Sequence, residues 1–217
     1  MTPQLWLILR RTIALFSFFA ATLALPPRAL PALCSALNLP TGPTTYVASS
    51  TGAGTPGNVV VIDAALNTVA CTIPVGKAPV NLAVSPDSNQ LFVENNGDGD
   101  VTVINLADGS STTVTLPSLT PPMTANLAVS PDNSRVYVVT LPATLTASTQ
   151  ASLYVISLPA LTVTGPISVV APPPATPTPV TAPGLGIAFT PDSTLAFIAT
   201  ESLTYIVTTS TNRFIVC

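Results

Sequence analysis

Asn81-Leu82-Ala83-Val84-Ser85-Pro86-Asp87 recurs as Asn126-Leu127-Ala128-Val129-Ser130-Pro131-Asp132, and in altered form as Gly186-Ile187-Ala188-Phe189-Thr190-Pro191-Asp192. The repetition continues outward from each copy. The fifth to seventh residues after the proline are apolar: Leu91-Phe92-Val93, Val136-Tyr137-Val138 and Ala196-Phe197-Ile198. A third run follows at Val101–Ile104, Leu153–Ile156 and Thr204–Val207, and a fourth at Thr112–Leu116, Leu161–Val170 and Arg213–Cys217. An earlier, worn copy keeps its second to fourth runs at Thr45-Tyr46-Val47, Val59–Ile62 and Thr68–Ile73. Pro40 precedes Tyr46 by the same six residues that separate Pro86 from Phe92, so Ala36–Leu39 is expected to be its first strand. A period of about 40–45 residues with four short runs each is the mark of a repeat architecture.

Each run has a physical reading as a strand, lettered a to d within the unit. Val, Ile and Thr favour extended backbone. The proline ends strand a because it cannot donate to a ladder, and the aspartate after it bonds downstream backbone and sets the turn. Alanine at the centre of strand a (Ala83, Ala128, Ala188) suits a strand crowded against a central axis. Strand c, as in Val59-Val60-Val61-Ile62, is apolar without alternation. Such a run implies burial on both faces, which stacked blades provide. Asn96-Gly97, Asp98-Gly99 and Asp108-Gly109 are strong hairpin signals. The fold expected is all-β, a β-propeller of about four four-stranded blades. The blades fall at about 34–75, 76–118, 119–170 and 184–217. The Thr/Ser/Ala-rich loop 141–152 and the Pro-rich insertion 171–183 lengthen the third unit, the latter as extended polyproline II.

The strings NLAVSPDSNQLFVEN, VTVINLADGSSTTV and NVVVIDAALNTVACTIPVGKAPVNLAVSPD resemble the YVTN family of β-propeller repeats, found in bacterial and archaeal exported and surface-layer proteins. The resemblance covers residues 44–140 closely and 141–217 loosely. It implies a propeller, an extracytoplasmic setting and a binding or scaffolding role. Family members usually have more blades, often seven. Three arrangements are therefore compatible with the sequence: a closed four-bladed ring, a partial propeller completed by another copy, or a truncated product with exposed blade faces. Cys34 precedes the first blade and Cys217 ends the last, so a Cys34–Cys217 disulfide would clasp a closed ring.

Residues 1–33 read as a signal peptide or, uncleaved, an N-terminal anchor. Arg10-Arg11 precede the apolar run Thr12–Leu25 and then Pro26-Pro27. That run is shorter than the about 20 residues a membrane span needs. The domain is therefore expected to be secreted, periplasmic or at the cell surface, with membrane contact only through that segment. Removing it leaves three basic residues against nine acidic ones, a net charge of −6. Such a surface lacks the basic patch that nucleic acid requires, so the expected partner is a protein or an envelope component.

No group points to catalysis. The chain has no histidine to activate a Ser or Cys, and Lys77 is its single lysine. No phosphate loop occurs and no cofactor is implied. Asp98 and Asp100, in Asn95-Asn96-Gly97-Asp98-Gly99-Asp100, are candidate calcium ligands through their oxygens, but a hairpin turn accounts for the same residues. Asp87, Asp132 and Asp192 recur once per unit and are read as turn residues, and Glu94 and Glu201 each follow a strand b. The functional expectation is a non-enzymatic binding, adhesion or envelope scaffold module. The alternative is a fragment or relative of a propeller lactonase-type hydrolase.

Overall fold

The structure is a computed structural model that describes residues 32–35, 39–52, 54–117, 123–142, 151–169, 186–199 and 204–215. The N-terminal segment 1–31, most of loop 141–152, insertion 171–183, Glu201 and Cys217 lie outside the described residues.

Four antiparallel sheets follow one another along the chain. Blade 1 holds β1 (Thr44–Ser49), β2 (Pro56–Asp63) and β3 (Thr68–Lys77), paired in that order. Blade 2 holds β4 (Pro79–Val84), β5 (Gln90–Asn95), β6 (Asp100–Asn105) and β7 (Ser111–Thr115). Blade 3 holds β8 (Met123–Val129), β9 (Arg135–Pro142), β10 (Ala151–Ser157) and β11 (Thr162–Val169). Blade 4 holds β12 (Gly186–Phe189), β13 (Leu195–Ala199), β14 (Thr204–Thr208) and β15 (Arg213–Ile215). The expected strands a to d are thus β4–β7, β8–β11 and β12–β15. The fold is a β-propeller, and among the described residues its packing does not close.

The a–b turns are built alike. In blade 2, Ser88 donates its amide to the Ser85 carbonyl at 2.8 Å, and Ser88 takes a positive φ of 59°. Asn133 and Ser193 occupy the same place with φ of 55° and 58°. The glycine-bearing turns also form as hairpins. Asn95 pairs with Asp100 across the b–c turn, and Gly99 and Gly109 supply φ of 67° and 76°. Only the left-handed region closes these turns, and glycine enters it without steric cost.

Blades pack face to face through three apolar cores. Val59, Val61, Cys71 and Ile73 of blade 1 meet Leu91, Val93 and Ile104 of blade 2. Phe92, Val101, Val103 and Val114 of blade 2 meet Val136, Val138, Tyr154 and Ile156 of blade 3. Tyr137, Val139, Leu153 and Val155 of blade 3 meet Ala196, Ile198, Tyr205 and Val207 of blade 4. Each large side chain removed from water contributes about 1.5–3 kcal/mol. Among the described residues no such core joins blade 4 back to blade 1.

The expected inner strand of blade 1, Ala36–Leu39, falls mostly on residues 36–38, which lie outside the described residues. Ahead of them, Leu33 bridges Thr72 of β3 in parallel, and the Cys34 amide donates to the Thr72 carbonyl at 2.9 Å. Leu39 packs into the core between blades 1 and 2. One sequence expectation for the N-terminus is corrected. Cys34 forms a disulfide with Cys71 of β3, with Cα atoms 5.0 Å apart, and is not available to the expected Cys34–Cys217 clasp. Placed beside β3, Cys34 has Cys71 as its neighbour. β3 also runs on to Lys77, past the expected blade boundary at residue 75.

Candidate functional site

The densest polar cluster lies where β5 turns into β6. Strand alternation sends the Asn95 side chain toward blade 1. There its amide donates to Asp100 Oδ1 and to Thr102 Oγ1, each at 2.7 Å. The Gly76 backbone passes so close that a Cβ there would fall 2.6 Å from Asn95 Cγ, so only glycine fits. Asp98 turns the other way. It accepts the Lys77 amide at 2.8 Å and pairs with Lys77 Nζ at 3.1 Å. The two candidate calcium ligands are therefore divided between two partners, Asp98 on the Lys77 connector and Asp100 on Asn95.

The electrostatics follow the same division. The Lys77 amide holds the Asp98 carboxyl below its usual value, with the Lys77 ammonium adding to it. Burial pushes Asp100 upward, against the hydrogen bond from Asn95. Glu94 is the extreme. Burial, with the Asp100 charge behind it, raises its pKa to about 8. It is 3% exposed, and one of its oxygens has no hydrogen-bond partner. Asn95 Oδ1 is likewise buried and unpartnered. The place of Glu94 after the strand b run carries no sign of its burial in the sequence. Its position in β5 matches Val139 of β9 and Ala199 of β13, both apolar.

Each recurrent aspartate serves its own turn. Asp87 accepts from Ser85 Oγ at 2.6 Å and from both the amide and side chain of Asn89. Asp132 accepts from Ser130 Oγ at 2.6 Å and from Ser134 at its amide and hydroxyl. Asp192 is held identically by Thr190 and Thr194. Hydrogen bonds from Ser85 and from Thr190 hold Asp87 and Asp192 below the usual carboxylate range. At Asp132 burial opposes the shift, but the serine hydrogen bonds still lower it.

Two further features could receive a ligand or partner. One is a crevice of about 320 Å³ lined by Pro40, Gly42, Thr44 and Tyr46 on one side and Val84, Ser88 and Leu106 on the other. The other is the pair of blade faces at the two ends of the stack. On blade 1 the outward rows across the sheet are Val47–Val60–Thr72 and Thr45–Ile62–Val69. Val47 and Val69 are 43% and 50% exposed. On blade 4 the outward row is Ala188–Phe197–Ile206–Ile215, with Ile215 40% exposed. The apolar run of strand c announced two covered faces, of which blade 1 has one among the described residues.

Solved structures of similar fold support the class. A hydrazine synthase from Kuenenia stuttgartiensis aligns with a TM-score of 0.54 at 19% identity, covering 78% of this chain and 50% of that one. A protein of unknown function from Desulfotomaculum acetoxidans aligns with a TM-score of 0.54 at 18% identity over 79% of this chain and 51% of that one. A protein provisionally assigned as a 6-phosphogluconolactonase, from Bacteroides uniformis, aligns with a TM-score of 0.53 at 16% identity over 78% and 49%. At such identities the likeness is one of fold. It places the chain among β-propeller proteins, and the chain spans about half the length of these structures. Neither a protein-family model nor a curated protein sequence matches it.

Proposed function

We propose that the chain is a YVTN-type repeat protein of the extracytoplasmic space that binds a protein or cell-envelope component as a scaffold or adhesion module, without catalysis. The observation that carries this reading is how the recurrent turns spend their polar groups. Asp87, Asp98, Asp132 and Asp192 all close backbone turns or connectors. The polar residues of the repeat thus build a rigid frame, and recognition falls to the connections that differ between blades, as is usual for loops on a stable scaffold. The Cys34–Cys71 disulfide supports an oxidising compartment, as does the export-like segment 1–33. The test is co-sedimentation of the purified chain with isolated cell envelopes. Saturable binding that loop substitution abolishes is expected, and binding that never saturates overturns the reading.

A lactonase-type hydrolase is the second reading, favoured by the B. uniformis structure alone. A shared fold does not carry an activity with it. Lactone hydrolysis above background that follows the chain through purification would replace the first reading with this one.

A further inference from the structure

We propose that two copies of this chain join head to tail, blade 4 of one against blade 1 of the other, closing a ring of twice four blades. Within each blade, one face looks back to the preceding blade and the other looks forward. Phe92 of β5 pairs with Val103 of β6 and both face forward, into the core with blade 3. Tyr137 pairs with Val155 and both face forward into the core with blade 4. Tyr46 pairs with Val61 and both face forward into the core with blade 2. The same pair in blade 4 is Phe197 with Ile206. It has the same chemistry and the same direction, and no blade stands in front of it among the described residues.

The backward face tells the complementary story. Leu91 with Ile104, Val136 with Ile156, and Ala196 with Val207 face back into the three cores. The matching pair in blade 1 is Thr45 with Ile62, flanked by Val47 and Val60. Among the described residues, blade 4 therefore has an uncovered forward face and blade 1 an uncovered backward face. These are the two surfaces that mate three times inside the chain. None of the outward-row residues named above is charged, so nothing in them repels a second copy. A head-to-tail contact that closes on itself gives a ring, and rings of eight blades lie within the known propeller range. The four blades align with about half of each of these similar solved structures, as one half of a joined pair would.

The test is light scattering on the full chain and on two single variants, Phe197→Asp and Val47→Asp. Val47 is 43% exposed, so its substitution leaves the blade's own core intact. The wild type is expected at twice the chain mass. Each variant buries an unpaired charge at both junctions and weakens association about a hundredfold or more, giving monomers. An equal mixture of the two variants regains the double mass, because one junction then has two unaltered faces. That rescue also shows that both variants are folded. A monomeric wild type at all concentrations overturns the proposal, as does an open polymer. Dissociation by Phe197→Asp but not by Val47→Asp would mean like faces pair and would also overturn it. Association that survives both substitutions comes from elsewhere in the chain and overturns it equally.

Discussion

Blade 2 and blade 4 carry the same four-strand unit, yet they bury it differently. In blade 2, strand β5 is buried continuously from Leu91 to Asn95, and β6 from Val101 to Ile104. In blade 4, the corresponding β13 and β14 alternate between buried and half-buried residues. β2 of blade 1 alternates too over most of its length, although Val59–Ile62 is apolar on both sides. The local sequence is thus written for a blade with two neighbours, and among the described residues blades 1 and 4 pack against one each. Position in the stack, rather than local propensity, sets how much each strand contributes to stability.

The largest expected effect tests that statement directly. Tyr137 and Phe197 are equivalent forward-facing aromatics. Tyr137 is fully buried, lies edge-on to Phe189 with ring centroids 4.9 Å apart, and donates its hydroxyl to Asn212 at 2.7 Å. Burial has pushed its phenol up to about 12. Tyr137→Ala should cost about 3–5 kcal/mol in urea unfolding, the range for emptying an aromatic site in a core. Phe197→Ala should cost about 1 kcal/mol when the chain is dilute. Equal losses at all dilutions would break the contrast between interior and end blades. A Phe197→Ala loss that grows with protein concentration would sharpen it, since only a partner could cover that face.

Blade 1 is tied by a disulfide on its blade 2 side. The Cys34–Cys71 disulfide fastens the N-terminal segment to β3, and Gly109 of blade 2 lies against Cys34, its would-be Cβ 3.3 Å from the Cys34 carbonyl oxygen. The bridge spans 37 residues. Closing a loop of that length restricts the unfolded chain by about 3–4 kcal/mol. Paired Cys34→Ser and Cys71→Ser substitution should lower stability by about that much. Because Cys71 belongs to the core between blades 1 and 2, exchange of amide hydrogens should accelerate first in β1–β3. Uniform acceleration across all blades would show that blade 1 is not separately held.

Most of this architecture could be read from residues. The Ser-Pro-Asp and Thr-Pro-Asp turns, the glycine-bearing hairpins and the three runs after each proline all fell where their chemistry placed them. The disulfide partner could not be read. It depended on which edge of blade 1 the segment around Cys34 would follow, and nothing local in Ala32–Ser35 marks an inner or an outer edge. The cluster behind Asp98 and Asp100 was half legible. Its turn was evident from Asp98-Gly99, but the burial of Glu94 came from the blade packed in front of it. A carboxylate beside a turn ordinarily reads as solvated.

Glu94 probes the interior of blade 2. Its folded pKa of about 8 lies above the ordinary value of 4.5. The folded chain therefore holds this proton more tightly than the unfolded chain does. The associated stability is complete below pH about 4.5 and is lost as pH rises toward 8, with a slope of up to about 1.4 kcal/mol per pH unit. Glu94→Gln should flatten that decline and leave the variant about 2 kcal/mol or more above wild type at pH 8. Unfolding measured at pH 5, 6.5 and 8 checks it. Parallel curves for the two proteins would mean that Glu94 is ionised in the folded chain.

The smallest effect concerns the ties between turns of neighbouring blades. In blade 4, Ser193 sits in the a–b turn at 7% exposure, and its hydroxyl accepts the Asp132 amide of blade 3 at 3.0 Å. The equivalent residue of blade 3 is Asn133, whose Oδ1 is buried with no partner. One interior junction thus has a turn-to-turn hydrogen bond where the other has a stranded acceptor. Ser193→Ala removes the bond and strands the Asp132 amide, so it should cost about 1 kcal/mol. Asn133→Ser removes an unsatisfied acceptor but gives up asparagine's ease in the left-handed region, so its net change should stay within about 0.5 kcal/mol. If Asn133→Ser destabilises as much as Ser193→Ala, the two junctions are already alike, and the difference between their turns has no energetic consequence.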